Sequence, residues 1–215
     1  MIKAVISDMD GVILDSEKLY VRFWCEAAQS FGFPMQREHA LGIRSMARPF
    51  AIAKLQGWFG ASFDYDRVRD RRVALMDEYV SAHGIEAKPG AKELLEWLKA
   101  NGYPVVLATA TPVARATEYL AQVGLLPYFD AICSARQVAH GKPEPDIYLY
   151  AAERLGVAPE ACLALEDSPN GVRAASSAGC KTVLIPDLDD PSPSLKDLLY
   201  ATATNLTDIS HLLRL

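Results

Sequence analysis

Short apolar runs rich in β-branched residues, each stopping at polar residues and each followed by a helical pattern, leave this chain few folds to adopt. The runs are residues 4–7, 104–108, 131–134, 162–165 and 182–185. A strand that is apolar on both faces belongs in a sheet covered on both sides, and parallel sheets are the ones so covered. Between the runs apolar residues recur with a period of about 3.6. Ala91, Leu94, Leu95 and Leu98 form one stripe, with Pro89 near its start and Gly102 just past its end. Tyr148, Ala151, Ala152 and Leu155 form another, closed by Gly156. Strand alternating with helix predicts an α/β fold with a doubly wound parallel sheet.

One stretch breaks the alternation. Residues 15–87 carry helical patterns and no convincing strand. Leu19, Phe23, Ala27 and Phe31 share a helical face that ends at Gly32 and Pro34, and Val68, Leu75, Met76, Tyr79 and Val80 mark a later helix. We expect a helical domain over 15–87, inserted after the first strand into a core built from 1–14 and 88–215, with a hinge at both crossings. Charges of alternating sign over 64–72 read as a solvated helix face.

The chain has 215 residues, half of them apolar, which is enough for one sizeable core with a small appended domain. Its formal net charge of −5 removes the global basic field that nucleic acid or an anionic membrane would call for. An anionic ligand would therefore need local partners: a lysine, a helix N-terminus or a metal. No apolar run approaches the ~20 residues of a membrane span, and no signal-peptide pattern opens the chain. Cys25, Cys133, Cys162 and Cys180 include no C-x-x-C pair and read as free thiols. A cytoplasmic monomer is expected, with no nucleic-acid or membrane partner.

Four patches carry chemistry. Asp8 and Asp10 close the first apolar run, with Gly11 behind them to allow a sharp exit. On a strand such a pair faces one spot, and two like carboxylates there need a cation. Val12 and Leu19 stand where an EF-hand loop would need carboxylates, which excludes that pattern. The second patch, Thr109-Ala110-Thr111-Pro112, places hydroxyl and backbone N–H groups at a strand end, where an anion can be held. Thr111 before Pro112 reads as an ordinary helix cap, leaving Thr109 as the functional hydroxyl. In the third, Gly141-Lys142-Pro143-Glu144-Pro145-Asp146, a lysine is held in a stiff loop that suits an inward aim, and the spacing is not that of a Walker loop. In the fourth, Glu166-Asp167-Ser168-Pro169-Asn170-Gly171, two acids emerge from an apolar strand, and Asp167 or Ser168 could cap the helix that follows. All four lie at carboxyl ends of predicted parallel strands, where open α/β sheets build their sites. Together they supply acids for a metal, a hydroxyl and a lysine for a phosphate, and a nucleophile.

These residues, with Asp8-Met9-Asp10-Gly11-Val12-Ile13-Leu14-Asp15-Ser16-Glu17 the most specific stretch, resemble the haloacid dehalogenase-like superfamily, and within it the β-phosphoglucomutase-like phosphatases. The resemblance spans residues 2–186. It implies Asp8 as a nucleophile that becomes an aspartyl phosphate, and Asp10 as the acid that protonates the leaving alcohol and then the base for water. It implies Mg²⁺ held by Asp8, the Asp10 carbonyl and Asp167, with Glu166 at or beside the metal, and Thr109, Ala110, Gly11 and Lys142 around the phosphoryl group. The insertion would be a mobile cap that selects a small phosphorylated metabolite, with Glu17, Tyr20, Trp24, His39, Arg44 and Arg48 as candidates to face the site. Tyr20 and Trp24 read equally well as cap core. Sugar-phosphate mutases of the same branch resemble one another in a histidine, a lysine and an arginine where this chain has Tyr20, Pro112 and Ser45. Hydrolysis is therefore expected rather than isomerisation. A phosphoacceptor signalling module uses similar residues, but the acid pair on the first strand and the long insertion speak against it.

Overall fold

The computed structural model describes residues 1–188 and 193–214, so the expected core segment 88–215 includes a few positions, 189–192 and 215, outside the described residues. The strands are β1 (Ala4–Ser7), β2 (Val105–Thr109), β3 (Ala131–Ser134), β4 (Cys162–Glu166), β5 (Lys181–Leu184) and β6 (Ala201–Thr202). They form one sheet in the order β3-β2-β1-β4-β5-β6, and every pairing is parallel. Helices α1 (Glu17–Ser30), α2 (Arg37–Gly42), α3 (Arg48–Phe59), α4 (Tyr65–His83) and α5 (Ala91–Ala100) fall between β1 and β2. The remainder are α6 (Val113–Gln122), α7 (Asp146–Leu155), α8 (Pro169–Ser177) and α9 (Asp208–Leu213).

Strand parity divides the core. Val5, Val105, Leu107, Leu163 and Leu165 pack on one side with Leu94, Leu95 and Leu98 of α5 and Leu120 of α6. Ile6, Val106, Ala108 and Ala164 pack on the other with Ile147 and Ala151 of α7 and Ala174 of α8. The expected doubly wound α/β sheet is the fold observed. From β1 the sheet grows through β2 and β3 to one side and through β4, β5 and β6 to the other. The reversal leaves a crevice beyond the carboxyl ends of β1 and β4.

Element ends differ from expectation where pairing sets them. β2 reaches Thr109 and β4 reaches Glu166, because Thr109 pairs with Ser134 and Glu166 with Leu184. The two-residue β6 is too short to leave a pattern. Neither α2 nor α3 shows a clean stripe: α3 buries Ala51 and Leu55 while Phe50 and Trp58 stay exposed.

From α1 to α4 the chain is helical, and much of it packs on an apolar cluster of its own, with Ala27, Leu55, Phe63 and Val68 at its centre. Its two crossings run side by side: Asp15 N–H donates to Glu86 O at 2.9 Å and Lys88 N–H to Ile13 O at 2.8 Å. Lys88 Nζ also reaches Asp187 Oδ1 at 2.5 Å, tying the return crossing to the segment after β5. Among the described residues no helix is long and apolar enough to cross a membrane.

Leu95 on α5 is 1% exposed and sits in the larger of the two sheet-covering clusters. Leu95→Ala is expected to cost about 2–5 kcal/mol through lost transfer energy and a residual cavity. Urea unfolding should show it as a lower midpoint at unchanged slope.

Candidate active site

The crevice gathers side chains from the ends of β1, β2 and β4 and from the loop that precedes α7. β1 stops at Ser7, so strand parity does not govern Asp8 and Asp10. Beyond Ser7 the chain turns through Gly11, whose φ of 83° is left-handed. The two carboxyl groups take separate partners, yet both line one cavity. A Cβ on Gly11 would stand 2.2 Å from Asp167 Oδ2, so glycine lets the β1 and β4 ends approach.

Lys142 is 2% exposed and its ammonium is enclosed by acceptors. It donates to Asp8 Oδ1 at 2.9 Å, to Glu166 Oε1 at 2.6 Å and to Ala108 O at 3.2 Å. These acids hold Lys142 charged, raising its pKa against the pull of burial. Glu166 is fully occupied: Oε1 also accepts from the Tyr148 hydroxyl, and Oε2 from Asp167 N–H and from Ser168 N–H and Oγ. It therefore aims Lys142. Gly171 makes room for it, since a Cβ there would lie 2.0 Å from the Glu166 carboxylate.

Burial pushes the Asp8 carboxyl up to about 7, with Glu166 and Asp10 adding to the rise and Lys142 opposing it. Asp10 accepts from Ser16 Oγ at 2.6 Å on one oxygen and from Thr111 Oγ1 at 3.0 Å on the other. Burial raises its pKa, and the two hydroxyls hold the rise back. Thr111 is thus no cap. Pro112 occupies the N-cap of α6 with an extended ψ of 142°, so the helix starts at Val113 and the Thr111 hydroxyl is left to Asp10. Thr109 is fully buried and its Oγ1 accepts from Thr111 N–H at 3.0 Å. Ala110 is exposed at the cavity wall.

Of the two possible caps for α8, Ser168 is the one used, accepting from Gly171 N–H at 3.1 Å. Asp167 is left pointing into the site. Both its oxygens are shut off from solvent without a hydrogen-bond donor, and burial drives its pKa well up. Arg44 Nε comes to 3.7 Å of Oδ2 and a guanidinium N–H donates to Asp167 O at 3.1 Å. Asp8, Glu166 and Asp167 can each offer an oxygen within 4.8 Å of the others. A dry, donor-free carboxylate facing a second one fits a hard divalent cation, which takes oxygen ligands and leaves room for others.

Above these groups lies a cavity of ≈ 1120 Å³ roofed by the helical insertion. Glu17, Tyr20, Trp24, Arg44 and Arg48 line it. Glu17 is a buried acid pushed up to about 8, chiefly by burial and then by Asp10. Arg48 is exposed and paired with Asp66. His39 does not line the cavity. Its Nδ1 accepts from Gln36 N–H at 3.1 Å at the start of α2, and its ring packs on Trp58 and Phe59. Thr111, read from sequence as a cap, and Ser16 and Arg72, given no role there, are site residues. Arg72 belongs to the stretch read as a solvated face, yet it turns inward over the rings of Tyr20 and Trp24. The signal was there: Arg72 falls midway between Val68 and Met76, on the apolar stripe of α4.

A family model described as haloacid dehalogenase-like hydrolase matches residues 2–179. A phosphorylated carbohydrates phosphatase of Thermotoga maritima is 35% identical over 84% of this chain and 83% of its own. Hexitol phosphatase B of Escherichia coli K12 is 34% identical over 96% of this chain and 95% of its own. The crystal structure of a hydrolase from Pseudomonas syringae superposes with a TM-score of 0.87 at 25% identity, covering 99% of each chain.

Asp8, Glu17 and Asp167 all have folded-state pKa values above those of an unfolded chain. The folded protein thus binds protons that the unfolded chain has released. The stability these groups contribute is complete below about pH 4 and is lost as pH rises towards about 8. With a chelator present, the unfolding midpoint should be lower near pH 8 than near pH 5.5. A flat or rising profile would show that these acids are not held neutral.

Proposed function

The chain belongs to the haloacid dehalogenase-like hydrolases, and on that footing we propose that it is a Mg²⁺-dependent phosphoric monoester hydrolase that moves the phosphoryl group of a small phosphorylated metabolite onto Asp8. The observation that carries this reading is Asp8 itself: a buried carboxylate with one oxygen fixed by Lys142 at 2.9 Å, on the floor of a cavity and beside the donor-free Asp167.

Asp8 would attack phosphorus through its carboxylate oxygen while the bond from phosphorus to the leaving oxygen breaks. Asp10 is suited to give that oxygen a proton, because burial keeps its carboxyl above the usual range and Ser16 and Thr111 fix its direction. In the second half, water would attack the aspartyl phosphate and Asp10 would take the water's proton, which releases phosphate and restores both acids. Lys142 would neutralise charge on the phosphoryl oxygens. The Thr109 hydroxyl accepts from Thr111 N–H and keeps its own proton to donate.

Asp8 and Asp167, with the Asp10 carbonyl as the resemblance implies, would hold Mg²⁺, with Glu166 behind as the group that positions Lys142. The ion when bound supplies positive charge at the transferring phosphoryl group. The cap helices exclude bulk water from Asp8. Hydrolysis is favoured over isomerisation because Tyr20, Pro112 and Ser45 stand where the mutases of this branch resemble one another in a histidine, a lysine and an arginine.

Purified protein should release phosphate from p-nitrophenyl phosphate and from sugar phosphates with Mg²⁺, and stop when the metal is chelated. Asp8→Asn should abolish turnover and Asp10→Asn should cost ~10²–10⁴ in kcat. Lys142→Ala should lose on the order of 10² or more in kcat/KM. Wild-type rates in Asp8→Asn would remove the nucleophile from this scheme.

A further inference from the structure

Among the arginines that face the cavity, Arg72 is electrostatically distinct. Arg44 has Asp167 within ion-pair distance, Arg48 has Asp66, Arg69 has Asp70 and Arg115 has Asp77, while Arg136 is exposed. Among the described residues Arg72 has no carboxylate at that distance and donates no hydrogen bond, and its Nε is shut off from solvent. What holds it is aromatic: the guanidinium carbon lies 5.0 Å from the Tyr20 ring centroid and 5.4 Å from that of Trp24. Ring faces attract the charge but offer the N–H groups no acceptor.

Its position ties it to the leaving group. The Tyr20 hydroxyl is 3.5 Å from Thr111 Oγ1, and Thr111 donates to Asp10 Oδ2. The group that would protonate the leaving oxygen is thus two side chains away from the platform on which Arg72 rests. Asp10, Tyr20, Trp24 and Arg72 line one cavity, so a leaving portion bound there would have this wall within reach.

We propose that Arg72 is a specificity-determining residue, and that the preferred substrate carries a second anionic group, carboxylate or phosphate, on its leaving portion that pairs with this guanidinium. The inference rests on the hydrolase reading above. A guanidinium presents parallel N–H bonds that match the two oxygens of a carboxylate or phosphate. A neutral hydroxyl could accept one N–H but would leave the charge uncompensated in a half-enclosed cavity.

The test compares phosphate release from gluconate 6-phosphate and glucitol 6-phosphate, which differ only in a carboxylate or a hydroxymethyl at C1. Fructose 1,6-bisphosphate against fructose 6-phosphate separates a phosphate from a carboxylate preference, and p-nitrophenyl phosphate reports on hydrolysis alone. Wild-type protein should favour the doubly anionic member of at least one pair by about tenfold or more in kcat/KM. Arg72→Gln should bring that ratio to about one, mainly through KM, and Arg72→Lys should fall between, since it keeps the charge and loses the fork. If Arg72→Gln does not fold, the wild-type ratios decide. Hydrolysis of the aryl phosphate with neutral members preferred, or a ratio unmoved in a folded Arg72→Gln, overturns the inference and leaves the hydrolase reading standing. No turnover of any of these, the aryl phosphate included, overturns both.

Discussion

The buried ammonium of Lys142 is the constraint around which the rest is arranged. A lysine with its head group removed from water survives only if acceptors surround it and acids balance it. Asp8, Glu166 and the Ala108 carbonyl do so from the ends of β1, β4 and β2. Three strand ends must therefore stand at fixed separations, and the parallel pairing β2-β1-β4 holds them there. Glu166 draws in Tyr148 from α7 and Ser168 from the start of α8, so both helices covering that face are anchored to the same charge. Gly171 is the steric counterpart, because the first turn of α8 passes so near Glu166 that a methyl group has no place.

Acid in excess of that lysine gives the floor its chemistry. Asp8, Asp10, Glu17 and Asp167 are all buried, and burial raises the pKa of each. Their environments then separate their roles. Asp8 has the ammonium, Asp10 has two hydroxyls, and Asp167 has no donor at all on its carboxylate. One carboxylate is thereby poised as a nucleophile, one as a proton carrier, and one as a seat for a cation.

The inserted helices complete the site with positive charge. Arg44 lies against Asp167, its carbonyl accepts from Asn170 Nδ2 at 2.8 Å, and Ala47 N–H donates to Lys142 O at 2.9 Å. The loop after α2 thus touches both the lysine loop and the β4 loop, and ties the inserted helices to the charge-binding parts on either side of the cavity. Arg115 of α6 paired with Asp77 of α4 adds a second tie between the two parts.

Much of this was legible in one dimension. Residues 4–7, 104–108, 131–134, 162–165 and 182–185 could be read as strands because a covered parallel strand is apolar on both faces, and that pattern survives without partners. Asp8, Asp10, Glu166 and Asp167 stood out because charged residues at the ends of apolar runs are costly unless something meets them, and Lys142 because a glycine and two prolines stiffen its loop. Other features were hidden for physical reasons. The two-residue β6 has no period, and α3, which mixes Arg48, Lys54 and Gln56 with apolar residues on every side, has no distinct face. His39 was one of the residues expected to face the site, but whether an imidazole meets a backbone N–H or a cavity depends on where α2 lies. Thr111 before a proline has the composition of a cap, and only the true start of α6 shows that its hydroxyl is left for Asp10. Arg72 sits among charges of alternating sign, which masked its place on the apolar stripe of α4, where it meets Tyr20 and Trp24 of α1. The order of strands, helices and charged ends is thus a property of the chain, since it follows from local periodicity and from the cost of burying charge. Which hydroxyl meets which acid, and which arginine is left without one, was decided only by tertiary packing, because partners such as Thr111 and Asp10 or Arg115 and Asp77 are tens of residues apart, and even the nearby Ser16 and Asp10 meet only because the chain turns at Gly11.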